Sequence, residues 1–167
     1  DETVLDAEAG RAPGSLFYGL DRMMDNIKLG ITRSKERKAE IALKIAEERM
    51  AEANKLSKLN KPERFERALQ EQEKAQAKLD KILNENSTAE DVEKDLGVES
   101  RLQMRLMNHT EKVTAIKNRI LERQAGRMSA EQIAKLKEVF ARIEQKAIEQ
   151  ENKTSMKQEK LKEKYKE

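Results

Sequence analysis

The chain has 167 residues, of which 40% are charged, 37% hydrophobic and 3% aromatic, whereas ordinary globular domains carry about 25% charged residues. Because sheets favour β-branched and aromatic residues, this composition predicts an all-α protein, and the net charge of +3 argues against the strongly basic surface of a nucleic-acid-binding domain. The chain has no cysteine and no apolar run near the length of about 20 residues that a membrane-spanning helix needs, which excludes disulfides, thiolate chemistry and a membrane span in this chain.

Cap signals and apolar stripes predict three helices in the first half of the chain. The first helix begins at Ser15 and ends near Gly30, where a left-handed terminator is favoured. The second helix begins at about Arg33 and carries an alanine-rich stripe that allows close helix packing. It ends before Asn60 and Pro62, which are an N-cap signal and a first-turn proline, so the second and third helices are predicted to form a hairpin.

Two more helices are predicted in the second half. The third helix ends near Asn86, and the fourth covers Thr88 to about Gln124. Ser129 and Gln132 have the spacing of a capping box, which predicts the start of the fifth helix. The predicted apolar face of the third helix consists of Phe65, Leu69, Gln72, Ala75, Leu79, Ile82 and Leu83. Together these elements predict an elongated antiparallel bundle of long helices with coiled-coil-like hairpins.

The apolar stripe of the fifth helix stops near Ile148, although helix propensity continues to the end of the chain. From residue 149 onward only Met156, Leu161 and Tyr165 are apolar. We therefore divide the chain into a flexible N-terminal segment (1–14), a single helical bundle domain (15–148) and a polar helical tail (149–167). Because a helix without an apolar face is marginal in water, the tail is expected to fray, to be removable without loss of stability, and to serve as a contact arm.

The only histidine of the chain, His109, lies on the same helical stripe as Leu106 and Val113. Its neighbours one turn away include no acid and no soft ligand, so we expect a packed structural histidine that is at least half buried. A mononuclear metal site shared with Met107 is incompatible with a regular helix, because Met107 lies about 160° around the helix from His109. No metal site and no cofactor are predicted.

Three methionines, Met104, Met107 and Met156, do not fit the predicted core stripes. Methionine-rich faces adapt to partners, so these residues, with Leu161 and Tyr165, are candidates for binding a protein partner or a second copy of the chain. The alternative is gap filling in the core and scattered surface positions. A second functional hypothesis, which stays open, is a metal-responsive or chaperone-like exported binder that uses Met104, Met107 and possibly His109.

The sequence lacks the motifs of the common enzyme classes. It has no glycine-rich phosphate loop, no metal-ligand cluster and no nucleophile elbow. Paired carboxylates are frequent, but acid–base catalysis needs a shielded cleft, for which a highly charged bundle has little material. The basic clusters are interrupted by glutamates, as is typical of solvated helix faces, so neither an enzyme nor a nucleic-acid-binding protein is predicted.

Three N-glycosylation sequons begin at Asn86, Asn108 and Asn152. These asparagines are candidates for carrying glycans in an exported protein. The alternative interpretation is helix-cap and turn chemistry at Asn86 and chance at the other two positions.

Two sequence segments resemble an uncharacterised family of exported archaeal and bacterial proteins that contains a domain of unknown function. They are the run from Pro13 to Arg22, and a second-helix pattern that consists of Arg37 to Leu43 and Ala46 to Glu52. The similarity covers about Pro13 to Leu83. It implies a helical domain and export but no activity, so we expect a non-enzymatic, extracytoplasmic interaction or structural protein, secreted or at the cell surface. An intracellular coiled-coil scaffold or nucleic-acid accessory protein is the alternative if no export signal precedes Asp1.

Overall fold

The computed structural model describes residues 28–32, 34–59, 61–85 and 96–164. In these ranges the chain forms a helical turn at residues 28–31 and then four long helices: α1 (Lys35–Lys58), α2 (Pro62–Asn84), α3 (Leu96–Gln124) and α4 (Ala130–Lys164). The described ranges contain no strand, and the predicted all-α bundle is confirmed. The coiled-coil character of the hairpins stays a prediction, and the segment 1–14 and the helix start at Ser15 lie outside the described residues.

The cap signals identify the start of α4 correctly but not that of α2, and the predicted start of the fourth helix at Thr88 lies outside the described residues. Ser129 and Gln132 form the predicted reciprocal capping box, with Ser129 N donating to Gln132 Oε1 (2.9 Å) and Gln132 N donating to Ser129 Oγ (3.2 Å). At the start of α1, Arg37 N donates to Ser34 Oγ. The predicted Asn60 cap of α2 is wrong, because the N-cap position is Lys61, which makes no side-chain cap bond and directly precedes Pro62 at the first turn.

The four helices form two antiparallel hairpins, α1/α2 and α3/α4, that pack side by side. Helix α1 packs against α3 in the parallel direction, since Glu47 pairs with Arg105 and, further along both helices, the Ser57 carbonyl oxygen accepts a bond from Gln124 Nε2. Helix α2 lies parallel to α4 in the same way, through the ion pair of Asp80 with Lys153 (2.6 Å) and that of Glu73 with Arg142. Each helix therefore contacts one partner within its hairpin and one across the hairpins.

The apolar core is divided into two clusters along the bundle. The upper cluster lies near the two hairpin turns and consists of Met50, Ala53, Leu56, Phe65, Ala68, Leu69, Val113, Ile116, Ile120, Leu136, Phe140 and Ile143. The lower cluster consists of Leu29, Ala39, Ala42, Leu43, Leu79, Ile82, Leu102 and Leu106. Among the side chains that the structure describes, helix α4 supplies Leu136, Phe140 and Ile143 to the upper cluster and none to the lower cluster.

The structure differs from the sequence-based expectation in the predicted tail. Helix α4 continues without a break through residue 148 to Lys164. Gln150 is fully buried and Thr154 is 3% exposed, while Ser155 Oγ accepts a 2.9 Å bond from Gln103 Nε2 of α3. The segment was expected to bury little because it lacks an apolar stripe. It packs instead through hydrogen bonds and ion pairs with α2 and α3, which the apolar pattern does not reveal.

Candidate functional site

Four buried polar side chains lie between the two apolar clusters, and we call them the polar layer: Gln72 and Gln76 from α2, His109 from α3 and Gln150 from α4. The three glutamines are 0% exposed and His109 is 1% exposed. Along its own helix, each of the four follows or precedes residues of the upper cluster, of the lower cluster or of both. His109, for example, lies between Val113 of the upper cluster and Leu106 of the lower cluster. Buried polar groups normally have hydrogen-bond partners, so each polar atom of this layer is expected to have one.

The contacts between α3 and α4 place His109 and Gln150 at the same height in the bundle. Gln103 bonds to Ser155 on one side of the layer, and Thr114 Oγ1 donates to Glu144 Oε1 (2.5 Å) on the other. Because the two helices are antiparallel, position 109 falls opposite positions 149 and 150. The histidine and the Gln150 amide therefore belong to one cross-section of the core.

Helix α1 contributes only a small side chain at this height. Glu47 pairs with both Arg105 (3.2 Å) and Lys112 (3.6 Å), which lie one turn on either side of His109. The preceding residue, Ala46, is 0% exposed and faces the core at the level of the layer. The charged groups thus stay at the α1–α3 seam while the layer itself holds only neutral amides and the imidazole.

Hydrogen bonds within the layer leave several atoms without protein partners. Gln72 Nε2 donates to Gln76 Oε1 (3.3 Å), and Gln150 Nε2 donates to the main-chain oxygen of Gln76 (2.9 Å). Four further atoms have no hydrogen-bond partner among the described residues: Gln72 Oε1, Gln76 Nε2, Gln150 Oε1 and His109 Nε2. An unsatisfied buried polar atom costs about 1–3 kcal/mol, so the layer has unused hydrogen-bonding capacity at its centre.

The burial predicted for His109 is confirmed. Removal from water lowers the pKa of His109 to about 4, with smaller contributions from the positive charges of Lys112 and Arg105. The imidazole is therefore neutral at pH 7. The polar surroundings of His109 were not predicted from the sequence, because Gln72 was assigned to an apolar face and Gln150 to the tail.

The candidate partner-binding methionines lie on the surface, but not on one face. Met104 and Met107 are 65% and 46% exposed on the outer side of α3. Met156 is 58% exposed and lies one turn after Lys153, on the side of α4 that borders α2. The side chain of Leu161 and all of Tyr165 lie outside the described part of the chain.

The structure separates His109 from the two methionines of the metal-binding hypothesis. His109 points into the core, while Met104 and Met107 face outward on the same helix. Among the described residues, no group of three or more histidine, cysteine, aspartate or glutamate side chains could hold a metal ion. Met104 and Met107 share the outer face of α3, so a binder that uses these two methionines without His109 stays a prediction.

Two of the three sequons can be located. Asn108 and Asn152 are exposed, and Asn86 lies outside the described residues. The acceptor threonines are bonded within their helices, with Thr110 Oγ1 donating to the Leu106 oxygen (3.1 Å) and Thr154 Oγ1 to the Gln150 oxygen (3.0 Å). Any glycan at these positions would therefore have to be attached before the helices form.

An apolar cleft, which was not predicted, separates the first halves of α2 and α4. It has a volume of about 220 Å³ and is lined by Phe65, Leu69, Leu136 and Val139 at its base, with Glu66, Gln70, Glu73, Met128, Gln132 and Lys135 around them.

None of the helices that the structure describes is long and apolar enough to cross a membrane.

Comparison with known proteins places the chain in a family. The profile of a family described as a domain of unknown function (DUF5667) matches residues 10–124. The chain belongs to the DUF5667 family. No curated protein and no solved structure matches it. In this DUF5667 protein the match ends at the last residue of α3, yet α4 supplies Leu136, Phe140 and Ile143 to the core, so the bundle is completed by a helix beyond the matched region.

Proposed function

We propose that this DUF5667 protein is a non-enzymatic, extracytoplasmic interaction or structural protein that binds a protein partner, or a second copy of itself, through the outer face of α3. The observation that carries the proposal is the exposure of Met104 and Met107 one turn apart on that face. Both side chains lie away from the core stripe marked by Leu106 and His109, so neither is needed to pack the bundle.

Methionine suits such a contact physically. Its unbranched, polarizable side chain adopts many shapes at small cost and fits irregular apolar surfaces. The surrounding residues of the face, Asn108 and Glu111, are exposed and polar, which gives the rim that protein interfaces commonly have. A helix face of this kind suits binding through apolar packing rather than through charged or reactive groups.

The extracytoplasmic location is supported by the segments that resemble exported proteins, which start at Pro13, and by the sequons at Asn108 and Asn152. It is tested by treating intact cells of the native host with a membrane-impermeant amine-reactive label. We expect the lysines of this protein to be labelled while a cytoplasmic marker protein is not. Labelling only after cell lysis would contradict the location.

The contact is tested with a photo-cross-linking amino acid at position 104, introduced in the native host. We expect a discrete cross-linked species that disappears when Met107→Lys is added. The matched control is the same amino acid at Ile148, an exposed apolar position on α4, which should give no such species. A product at twice the chain mass would indicate self-association. Equal cross-linking at positions 104 and 148, or none at 104, would contradict the proposed face.

A further inference from the structure

We propose that the polar layer binds an internal water molecule that bridges α2, α3 and α4 through Gln72, Gln76, His109 and Gln150. This site is independent of the proposed surface contact, because all four side chains are enclosed by the bundle. The proposal rests on the buried side-chain atoms of the polar layer that have no hydrogen-bond partner among the described residues: Gln72 Oε1, Gln76 Nε2, Gln150 Oε1 and His109 Nε2.

The four atoms have the hydrogen-bonding character that one water molecule complements. Gln72 Oε1 and Gln150 Oε1 are acceptors, and the two O–H groups of a water can donate to them. Gln76 Nε2 is a donor, and the neutral imidazole of His109 supplies a second donor when Nε2 carries its proton. Buried waters typically make about three bonds to otherwise unsatisfied groups, and this set offers four.

Small side chains lie at the level of the layer on α1, α2 and α4. Ala46 of α1 and Ala147 of α4 are fully buried, and Ala75 of α2 is nearly so. The neighbouring levels of the core are filled by larger residues, namely Leu43, Met50, Leu79 and Ile143. A water needs only about 10–15 Å³ of accessible space. Alanine at these positions, in place of a residue as large as leucine, favours a space of that size.

Other ligands fit the layer less well. A cation would require a carboxylate, but the four side chains of the layer include none, and Glu47 at the α1–α3 seam is paired with Arg105 and Lys112. An anion would require a positive charge, whereas the imidazole is neutral. An organic molecule would require an opening, but the four side chains are at most 1% exposed. Water is the polar ligand whose size and neutrality match.

The wild-type full chain decides the question by nuclear magnetic resonance. We expect nuclear Overhauser effects between water and the side-chain amide protons of Gln72, Gln76 and Gln150 and the ring protons of His109, with the sign of a long-lived bound water. The Thr110→Val variant lacks a neighbouring hydroxyl that can pass magnetisation from water to the layer by proton exchange. We expect the same nuclear Overhauser effects in this variant as in the wild-type chain. Absence of water contacts at the layer in the wild-type chain would overturn the proposal, as would a direct hydrogen bond from His109 Nε2 to Gln72 Oε1 or Gln150 Oε1.

Variants give a second readout through the magnetic relaxation dispersion of water deuterons, whose amplitude is proportional to the number of long-lived waters. We expect Gln150→Leu to lower the amplitude by one water. The matched control is Gln145→Leu, an exposed glutamine one turn and a half earlier on α4, which should leave the amplitude unchanged. Equal amplitudes in the wild-type and Gln150→Leu proteins would contradict the site, and if Gln150→Leu does not fold, the wild-type spectrum alone decides.

Discussion

Gln150 Nε2 donates a 2.9 Å hydrogen bond to the main-chain oxygen of Gln76, across 74 residues of sequence. Both residues are fully buried. This bond joins a segment without an apolar stripe to the centre of the bundle. The second half of α4 thus packs on α2 through a polar contact that forms only when the two helices lie side by side.

The first prediction concerns truncation after Ile148. Removing residues 149–167 deletes Gln150 and Thr154 from the interior and exposes the polar groups that they cover, so we expect a loss of about 2–4 kcal/mol of unfolding free energy. Thermal unfolding followed by circular dichroism measures the effect as a clear fall in Tm. Met156→Ala, an exposed substitution in the same segment, serves as the control. An unchanged Tm would contradict this prediction and would support the expectation from the sequence that residues 149–167 can be removed without loss of stability.

The second prediction is a pH dependence caused by His109. Its pKa is lowered from 6.5 to about 4 in the folded chain, so the unfolded state binds the proton more readily, and stability is complete above pH 6.5 and is lost as the pH falls toward 4. Between pH 7.5 and pH 5 the loss should be about 2 kcal/mol, at 1.36 kcal/mol per pKa unit.

Urea unfolding at a series of pH values measures this dependence. In the His109→Leu variant the dependence between pH 7.5 and pH 5 should largely disappear. Glu144 does not interfere in this window, because its pKa is lowered from 4.5 by its bonds to Lys117 and Thr114, and its contribution is lost only at more acidic pH. A histidine titrating near 6.5 in the folded wild-type protein would refute the prediction.

The third prediction tests the α3–α4 seam. Glu144 accepts bonds from Lys117 Nζ (2.7 Å) and Thr114 Oγ1 (2.5 Å) and is half-buried. We expect Glu144→Gln to lower the unfolding free energy by about 1 kcal/mol, since the remaining amide loses a charge-assisted bond. Glu131→Gln removes the exposed pair with Lys135 and should have a much smaller effect in the same denaturant titration. Equal effects of the two variants would contradict the structure at this seam.

The fourth prediction concerns the capping box of α4. Ser129→Ala removes the acceptor of Gln132 N and should cost about 1 kcal/mol, whereas Ser129→Asp keeps an acceptor at the cap and should be nearly neutral. Chemical denaturation of both variants measures the difference. Identical stabilities would mean that the first turn of α4 does not depend on this cap.

Local sequence signals predicted much of the fold because helix formation depends on neighbours within one or two turns. The pair Ser129 and Gln132 identifies a helix start by itself, and Pro62 identifies the turn of the first hairpin. His109 could be assigned to the core because Leu106 and Val113 flank it at helical spacing. These features are determined by the sequence alone.

The polar layer and the packing of the predicted tail were decided only by the tertiary structure. Gln150 has no apolar stripe around it, so periodicity cannot show that it is buried; its burial follows from the position of Gln76 on another helix. Likewise Glu47 has no local signal for pairing with both Arg105 and Lys112, which approach it only once α1 lies parallel to α3. Hydrophobic periodicity records which side of a helix avoids water, whereas hydrogen bonds between helices depend on partners about 60 to 70 residues away, whose relative height is set by the packing of the whole bundle.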